Sequence, residues 1–135
     1  MATHDNRAIV TSFIEAYNRG DVEGNIQYTA PECTLNGQPL GREGDRQRLS
    51  VMLAAFPGGR YSMEDIIAEG DRVVLRWIFS GIHEGDLMGI PPTRKQVVMP
   101  GISIYRFSDG MVTDIWEYYD RYSVLQQLGV IPAPA

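Results

Sequence analysis

The spacing of apolar residues changes once along the chain, and this change limits the possible folds more than any other feature. Up to residue 56, apolar side chains recur every three or four residues, as in residues 9–17 and 49–56. Beyond residue 60 they recur at every second position in several segments, which are residues 61–69, 72–83, 96–107 and 111–119. The first spacing is typical of amphipathic helices and the second of half-buried strands. Helices followed by a run of antiparallel strands indicate an α+β fold.

Turn and capping residues divide this pattern into predicted elements. One helix ends at Gly20, a second runs from its cap Asp21 to about Tyr28, and a third covers residues 44–56. A short strand at residues 32–36, the alternating segments and a closing helix at residues 122–128 complete the prediction. A strongly curved antiparallel sheet wrapped on the N-terminal helices can enclose a pocket between the two layers.

Length, charge and cysteine content make several classes of protein unfavourable. The 135 residues fit one domain, residues 1–135, and the net charge of −5 argues against a nucleic-acid or anionic-membrane partner. No apolar run is long enough to span a bilayer, and the first ten residues lack the plan of a signal peptide. Cys33 is the single cysteine, and no cluster of cysteine and histidine indicates a metal site. We therefore expect a cytoplasmic protein without a metal, and a buried Cys33.

The stretch DIWEYYD, residues 114–120, places one carboxylate, Glu117, inside an aromatic run. Burying a carboxylate is unfavourable unless it is paired, hydrogen-bonded or protonated. Glu117 is therefore either a surface acid, bound to an arginine such as Arg76 or Arg121, or a pocket group that exchanges protons with a ligand.

Two segments in the C-terminal half carry a resemblance to a known family. GIHEGDLMGIPPTRK at residues 81–95, followed by PGISIYRFSDGMVTDIWEYYDRYSVLQQLG at residues 100–129, resembles the SnoaL-like polyketide cyclases of the nuclear transport factor 2-like superfamily. The resemblance implies a cone-shaped fold with an interior pocket for a small hydrophobic or aromatic substrate. It also implies a reaction without a cofactor, in which a carboxylate acts as acid and base in an intramolecular aldol closure.

The residue that matches the family's carboxylate is Glu117. A histidine and a glutamine that accompany it in the cyclases fall at Ser103 and Gly101, so this chain has the acid without those partners. The expected catalytic residues are Glu117 for proton transfer and Ser103 or His83 for the developing oxyanion. The altered partners leave room for isomerase or hydroxylase-like chemistry.

The register of the last hairpin decides which way Glu117 points, because a slip of one residue turns every side chain over. A two-residue turn at Asp109-Gly110 places Ile102 opposite Glu117, whereas a three-residue loop places Ser103 there. The residues alone are compatible with both registers, and the resemblance favours the one that places Ser103 opposite Glu117. The pocket face of the two strands then consists of Gly101, Ser103, Tyr105, Thr113, Ile115, Glu117 and Tyr119.

The opposite face of this hairpin then carries Ile102, Ile104, Trp116 and Tyr118. Large apolar side chains left in water are unusual on a monomer. We therefore expect this convex face to form the centre of a homodimer.

Other candidate pocket residues each have a structural alternative. His83 could relay protons at the pocket mouth or bond to the loop at residues 85–95. Asn36 could be a polar pocket residue or the start of an Asn-Gly turn, and Tyr17, Tyr105 and Tyr119 could bind a substrate oxygen or simply pack. The expected apolar walls, which are equally good core residues, are Met52, Phe56, Trp77, Met88 and Ile115.

These residues fit three functions. The first is an enzyme that acts on a polyketide or aromatic carbonyl compound, and the second is a module of the same fold that binds a small ligand without turnover. The third is an epoxide hydrolase, which needs an Asp-Arg-Asp relay. Arg76 and Asp114 could supply parts of this relay, although by parity neither faces the pocket together with Glu117.

Overall fold

The computed structural model describes residues 5–132, and within that range the chain forms four helices and six strands. In chain order these are α1 (Asn6–Asn18), α2 (Val22–Ile26), β1 (Thr29–Leu35), β2 (Gln38–Pro39), α3 (Gly41–Ala55), β3 (Arg60–Glu69), β4 (Arg72–Ile82), β5 (Gln96–Ser108), β6 (Met111–Tyr119) and α4 (Arg121–Gln127). The predicted α+β order of three helices, a sheet and a closing helix is confirmed.

The strands form one curved sheet in the order β2-β1-β6-β5-β4-β3. The pairs β3–β4, β4–β5 and β5–β6 are antiparallel, as predicted. β1 differs from the prediction because it runs parallel to β6, with Thr34 opposite Asp114. A parallel pair requires a long crossover connection, and here α3 and the strands β3 to β5 supply it.

The predicted boundaries are a few residues off at several elements. α2 ends at Ile26 rather than at about Tyr28, and α3 begins at Gly41 rather than at residue 44. The strand β2 was not predicted. It follows a tight turn at Asn36-Gly37, where both residues have positive φ (51° and 81°) and Leu35 pairs with Gln38.

The core lies between the helices and the concave face of the sheet. Each alternate residue on β4 from Val73 to Phe79 is buried, which confirms the predicted apolar face of that strand. The apolar stripe of α1 faces these side chains and buries Val10, Phe13, Ile14 and Tyr17. Because each large apolar side chain contributes about 1.5–3 kcal/mol on burial, this layer holds α1 to the sheet.

Two expectations from composition can be compared with the structure. Cys33 is buried, and burial, assisted by nearby carboxylates, raises the pKa of its thiol to about 12. A thiol that stays protonated at neutral pH is a poor nucleophile, in agreement with the prediction of a core cysteine. None of the helices within residues 5–132 is long and apolar enough to cross a bilayer.

A β-bulge at Thr113 determines which way Glu117 points. The turn contains two residues, Asp109 and Gly110, and pairs Ser108 with Met111. The register then shifts by one, since Phe107 lies opposite Val112 but Arg106 lies opposite Asp114. Beyond this shift Ser103 faces Glu117 across the strands. The turn is therefore the two-residue type that Asp-Gly favours, while the pairing is the one expected for a three-residue loop.

Candidate active site

A cavity of about 40 Å³ lies between helices α1 and α3 and the concave face of the sheet. Its volume corresponds to about three water molecules. The apolar lining consists of Phe13, Ile14, Leu49, Trp77, Val112 and Ile115. The polar lining consists of Tyr17, Asn25, Thr29, Asp45, Arg48, Tyr61, Ser103, Tyr105 and Glu117. Six of the predicted site residues are therefore brought together here, namely Tyr17, Trp77, Ser103, Tyr105, Ile115 and Glu117.

Glu117 projects into this cavity from β6 with its side chain 16% exposed. Its backbone is fixed by the turn between β1 and β2. Asn36 Oδ1 accepts a hydrogen bond from the Glu117 N–H at 2.9 Å, and Asn36 Nδ2 donates to the Glu117 carbonyl at 3.2 Å. Asn36 does not line the cavity, but it holds the strand that carries the candidate acid.

The carboxyl of Glu117 is bound by Arg48, a residue that the sequence analysis missed. Arg48 Nη1 donates to Glu117 Oε2 at 2.6 Å. The two arginines expected as partners lie elsewhere, since Arg76 binds Asp65 and Arg121 lies beside Met88. One signal was available for the partner of Arg48: Asp45 precedes the apolar Leu49 by four residues, which places Asp45 on the inward face of α3.

A second carboxylate, Asp45, holds the other edge of the Arg48 guanidinium. Arg48 Nε donates to Asp45 Oδ1 at 3.0 Å, and Nη2 lies 3.0 Å from the same oxygen. Asp45 is 2% exposed, and Thr29 Oγ1 donates to its Oδ2 at 2.7 Å. This chain of contacts fixes the guanidinium at the wall of the cavity.

The three charged groups carry two negative charges and one positive charge. Burial opposes the charged form of Arg48, but the carboxylates of Glu117 and Asp45 outweigh it, so the pKa of Arg48 lies above its usual value. Arg48 can neutralise only one of the two carboxylates. The cavity therefore retains one net negative charge.

Three tyrosines border this charged group. Burial, assisted by the negative charge of Glu117, raises the pKa of Tyr61 and of Tyr105, so both phenols stay protonated. Burial also raises the pKa of Tyr17, against an opposing effect of Arg48. The Tyr17 hydroxyl has no hydrogen-bond partner among the described residues. A buried hydroxyl without a partner is costly, so this group is available to a ligand oxygen or a water.

Ser103 lies opposite Glu117 and is fully buried. Trp77 Nε1 donates to Ser103 Oγ at 2.9 Å, and the Ser103 hydroxyl also lies within hydrogen-bond reach of the Tyr105 phenol. The indole also covers Gly101, where a Cβ atom would come within 2.3 Å of the Trp77 ring. A side chain at residue 101, such as the glutamine of the cyclases, is therefore incompatible with Trp77 in this position.

His83 is fully buried and does not line the cavity, which agrees with the alternative in which it bonds to the loop at residues 85–95 and not with a place at the pocket mouth. The Thr93 N–H donates to His83 Nδ1 at 3.1 Å, which places the ring proton of the neutral form on Nε2. The ring packs against Phe56 with 5.6 Å between centroids. His83 is thus the strand-end histidine that fastens the loop at residues 85–95.

Four other predicted pocket residues also lie outside the cavity lining. Phe56 is a core residue that meets Phe79 edge to face, and Met52 is partly buried against the same core. Met88 and Tyr119 are exposed. Tyr119 was expected on the pocket face, but it is 40% exposed at the end of β6.

The sequence profile of the SnoaL-like polyketide cyclases matches residues 7–128, nearly the whole of the chain. This chain belongs to that family. One relative, the nogalonic acid methyl ester cyclase of Streptomyces nogalater, is 28% identical over 122 residues, which cover 86% of this chain and 91% of that protein.

Two solved structures share the fold of this SnoaL-like protein closely. AclR from Streptomyces galilaeus, proposed to be a hydroxylase, has a TM-score of 0.87 and 28% identity, over 97% of this chain and 85% of that one. IdmH from Streptomyces antibioticus, proposed to be a polyketide cyclase, has a TM-score of 0.81 and 29% identity, over 93% of this chain and 99% of that one. The resemblance and the expected fold are therefore confirmed.

The SnoaL-like chain thus combines a carboxylate on β6 with an arginine from α3. Among residues 5–132, no group of three or more histidine, cysteine or acidic side chains is arranged to hold a metal ion. What the cavity offers is the Arg48–Glu117 ion pair, the hydroxyls of Ser103 and Tyr17, and an aromatic wall formed by Trp77.

Proposed function

We propose that this SnoaL-like protein is an enzyme that transfers a proton next to a carbonyl group of a small aromatic or polyketide-like substrate, without an organic cofactor. The observation that carries the proposal is the position of Glu117. Its carboxylate lies in the cavity, one oxygen is held by Arg48, and no described residue bonds the other. A fixed carboxylate with one free oxygen suits a general base.

The reaction begins when Glu117 Oε1 removes a proton from the carbon beside the carbonyl. The electron pair of the C–H bond moves towards the carbonyl oxygen, which becomes an enolate oxygen. In a cyclisation, the enolate carbon attacks a second carbonyl carbon, and that carbonyl oxygen takes the proton back from Glu117. In an isomerisation, Glu117 returns the proton to a different carbon.

The hydroxyls of Ser103 and Tyr17 support this proposal as binding groups for the substrate oxygens. The Ser103 hydroxyl accepts from Trp77 and lies beside the Tyr105 phenol, and Tyr17 has a buried O–H without a partner among the described residues. Trp77 and Ile115 supply apolar surface for a flat ring. Because the cavity has room for only about three waters, a polycyclic substrate enters only when side chains at its wall move.

Epoxide hydrolysis is a second candidate, because the cavity contains a series of charged groups that was not predicted from the sequence. The parts predicted for it do not meet, because Arg76 binds Asp65 while Asp114 binds Arg106 and Thr34. However, Asp45, Arg48 and Glu117 form a carboxylate–guanidinium–carboxylate series inside the cavity. Such a series could hold and deprotonate a water for attack on an epoxide carbon.

The test is turnover of a panel that contains nogalonic acid methyl ester, simpler aromatic 1,3-diketones and cyclohexene oxide. Glu117→Gln keeps the shape of the side chain and removes its proton-transfer function. We expect turnover of a carbonyl substrate to fall by about 100-fold or more. Glu69→Gln, at an exposed strand end, is the matched control and should retain turnover.

Unchanged turnover in Glu117→Gln would overturn the proposal. Turnover of the epoxide alone would select the second candidate, and an oxygenated product would indicate hydroxylase-like chemistry. Binding measured by calorimetry, with no turnover of any compound, would make the protein a binding module.

Location and macromolecular partners stay predictions. The net charge of −5 supports the expectation of a partner other than nucleic acid, and a cytoplasmic location would agree with the reduced, buried Cys33. Fractionation of the native host would test the location directly.

A further inference from the structure

Arg48 has more hydrogen-bond donors than its protein partners use. A guanidinium carries five N–H groups. Nε and Nη2 are directed to Asp45, and Nη1 donates to Glu117 Oε2. These contacts account for three N–H groups, so two remain for a ligand oxygen.

The position of the guanidinium is fixed independently of any ligand. Asp45 is almost fully buried and is itself held by the Thr29 hydroxyl. The side chain of Arg48 therefore approaches the cavity from a rigid support on α3, with 28% of its surface exposed. A donor that is already in place needs little reorganisation when charge develops next to it.

The charge balance of the site points to the same role. Before proton transfer, the negative charges lie on Asp45 and Glu117, and Arg48 lies between them. After transfer, Glu117 is neutral and the charge lies on the enolate oxygen. If that oxygen also contacts Arg48, the net charge of the site is unchanged and the negative charge only moves from one side of a fixed cation to another.

We propose that Arg48 is a catalytic residue that binds the enolate oxygen of the substrate. This inference rests on the proposed function, because Glu117 is the base that creates the enolate.

The test uses a small enolate as a probe and measures binding rather than turnover. Cyclohexane-1,3-dione is present as its enolate at neutral pH, and 3-methoxycyclohex-2-enone is a neutral compound of similar shape. In the wild-type protein Glu117 repels the enolate. We therefore expect Glu117→Gln to bind the enolate at least about 10-fold more tightly than the wild type in calorimetry, with little change for the neutral compound.

The decisive variant adds Arg48→Gln to Glu117→Gln, so that two neutral amides replace the ion pair. Loss of a charge-assisted contact should weaken enolate binding by about 10-fold to 100-fold relative to Glu117→Gln alone. The neutral compound should bind equally to both variants. Arg46→Gln in the Glu117→Gln background is the matched control, because Arg46 lies on the same helix but bonds the exposed Glu23 and Glu43.

Equal enolate affinity with and without Arg48 would overturn the inference, as would failure of every variant to bind the enolate. If the double variant does not fold by circular dichroism, Arg48→Lys in the same background replaces it. The single ammonium group of a lysine cannot contact Asp45 and the ligand at the same time as the planar guanidinium does. We therefore expect about a 10-fold loss of enolate affinity. Failure of the proposed function is recognised separately, because it appears as unchanged turnover in Glu117→Gln.

Discussion

Two arginine–carboxylate pairs in this protein have the same length and different surroundings. Arg48 and Glu117 are 2.6 Å apart inside the cavity, with side chains 28% and 16% exposed. Arg76 and Asp65 are also 2.6 Å apart, but they lie on the outer face of the sheet with side chains 51% and 57% exposed. The distance between the charged atoms alone does not show which pair contributes more to stability. Water screens the outer pair, whereas in the inner pair Arg48 is the cation that compensates both Glu117 and Asp45.

The largest expected effect comes from breaking the inner pair. Arg48→Met leaves Glu117 and Asp45 as buried charges without a cation, and we expect the free energy of unfolding to fall by about 3–5 kcal/mol. The equivalent change outside, Arg76→Met, should lower it by less than about 1 kcal/mol. Urea denaturation of the three proteins measures the difference. Similar losses in both variants would contradict the distinction between the pairs.

A second prediction contrasts two neighbouring residues on opposite faces of β5. Gly101→Ala introduces a methyl group within 2.3 Å of the Trp77 ring, so we expect a loss of about 1–3 kcal/mol from overpacking. Ile102→Ala, one residue further on the exposed face, should cost less than about 1 kcal/mol in the monomer. The measurement is again urea denaturation. A tolerated Gly101→Ala would mean that Trp77 can leave its position at no cost.

The third prediction concerns alkaline pH. Because burial raises the pKa of Tyr105 in the folded state, its phenol stabilises the fold below pH 10 and this contribution is lost as the pH rises further. Between pH 9 and pH 11 we expect the wild type to lose about 1 kcal/mol more than Tyr105→Phe. Tyr118→Phe, on the exposed outer face, is the control and should follow the wild type. Parallel curves for Tyr105→Phe and the wild type would show that the phenol ionises freely in the fold.

The smallest effect on the fold itself is expected at the convex face. Ile102 and Tyr118 are exposed there, and the Arg72 guanidinium lies 5.5 Å from the Trp116 ring centroid. We propose that this face forms a homodimer, so wild-type protein should sediment as a dimer at micromolar concentration. Ile102→Lys should shift it towards monomer while the thermal midpoint at low concentration stays nearly unchanged. A monomeric wild type would show that the face is simply exposed.

The sequence predicted the parts of the fold that depend on hydrophobic spacing. The stripe on α1 and the buried alternation on β4 were found because each follows one period over several residues. β2 and the parallel pairing of β1 were not found. The strand β2 has only two residues, which is too short to show a hydrophobic period. The parallel pairing of β1 with β6 joins strands that are far apart in sequence, so no local pattern predicts it.

The site was predicted from β5 and β6 and missed from α3. Glu117 and Ser103 were identified because a resemblance pointed to their strands. Arg48 and Asp45 belong to the charged segment GREGDRQRL, which has the composition of a solvated helix surface. Asp45 is nevertheless 2% exposed, because Thr29 and Arg48 satisfy its oxygens. Only the three-dimensional arrangement brings these groups next to Glu117.

The single extra residue at Thr113 determines which way the later side chains of β6 point. Each residue of β6 after Thr113 faces inward or outward according to whether Thr113 is bulged out of the ladder or paired with β5. If Thr113 instead paired with Arg106 in a regular ladder, Trp116 and Tyr118 would face the interior and Glu117 the solvent, with no substitution at any of these positions. Gain or loss of the bulge therefore offers a route between an acidic and an aromatic interior that point mutation would reach only through many steps.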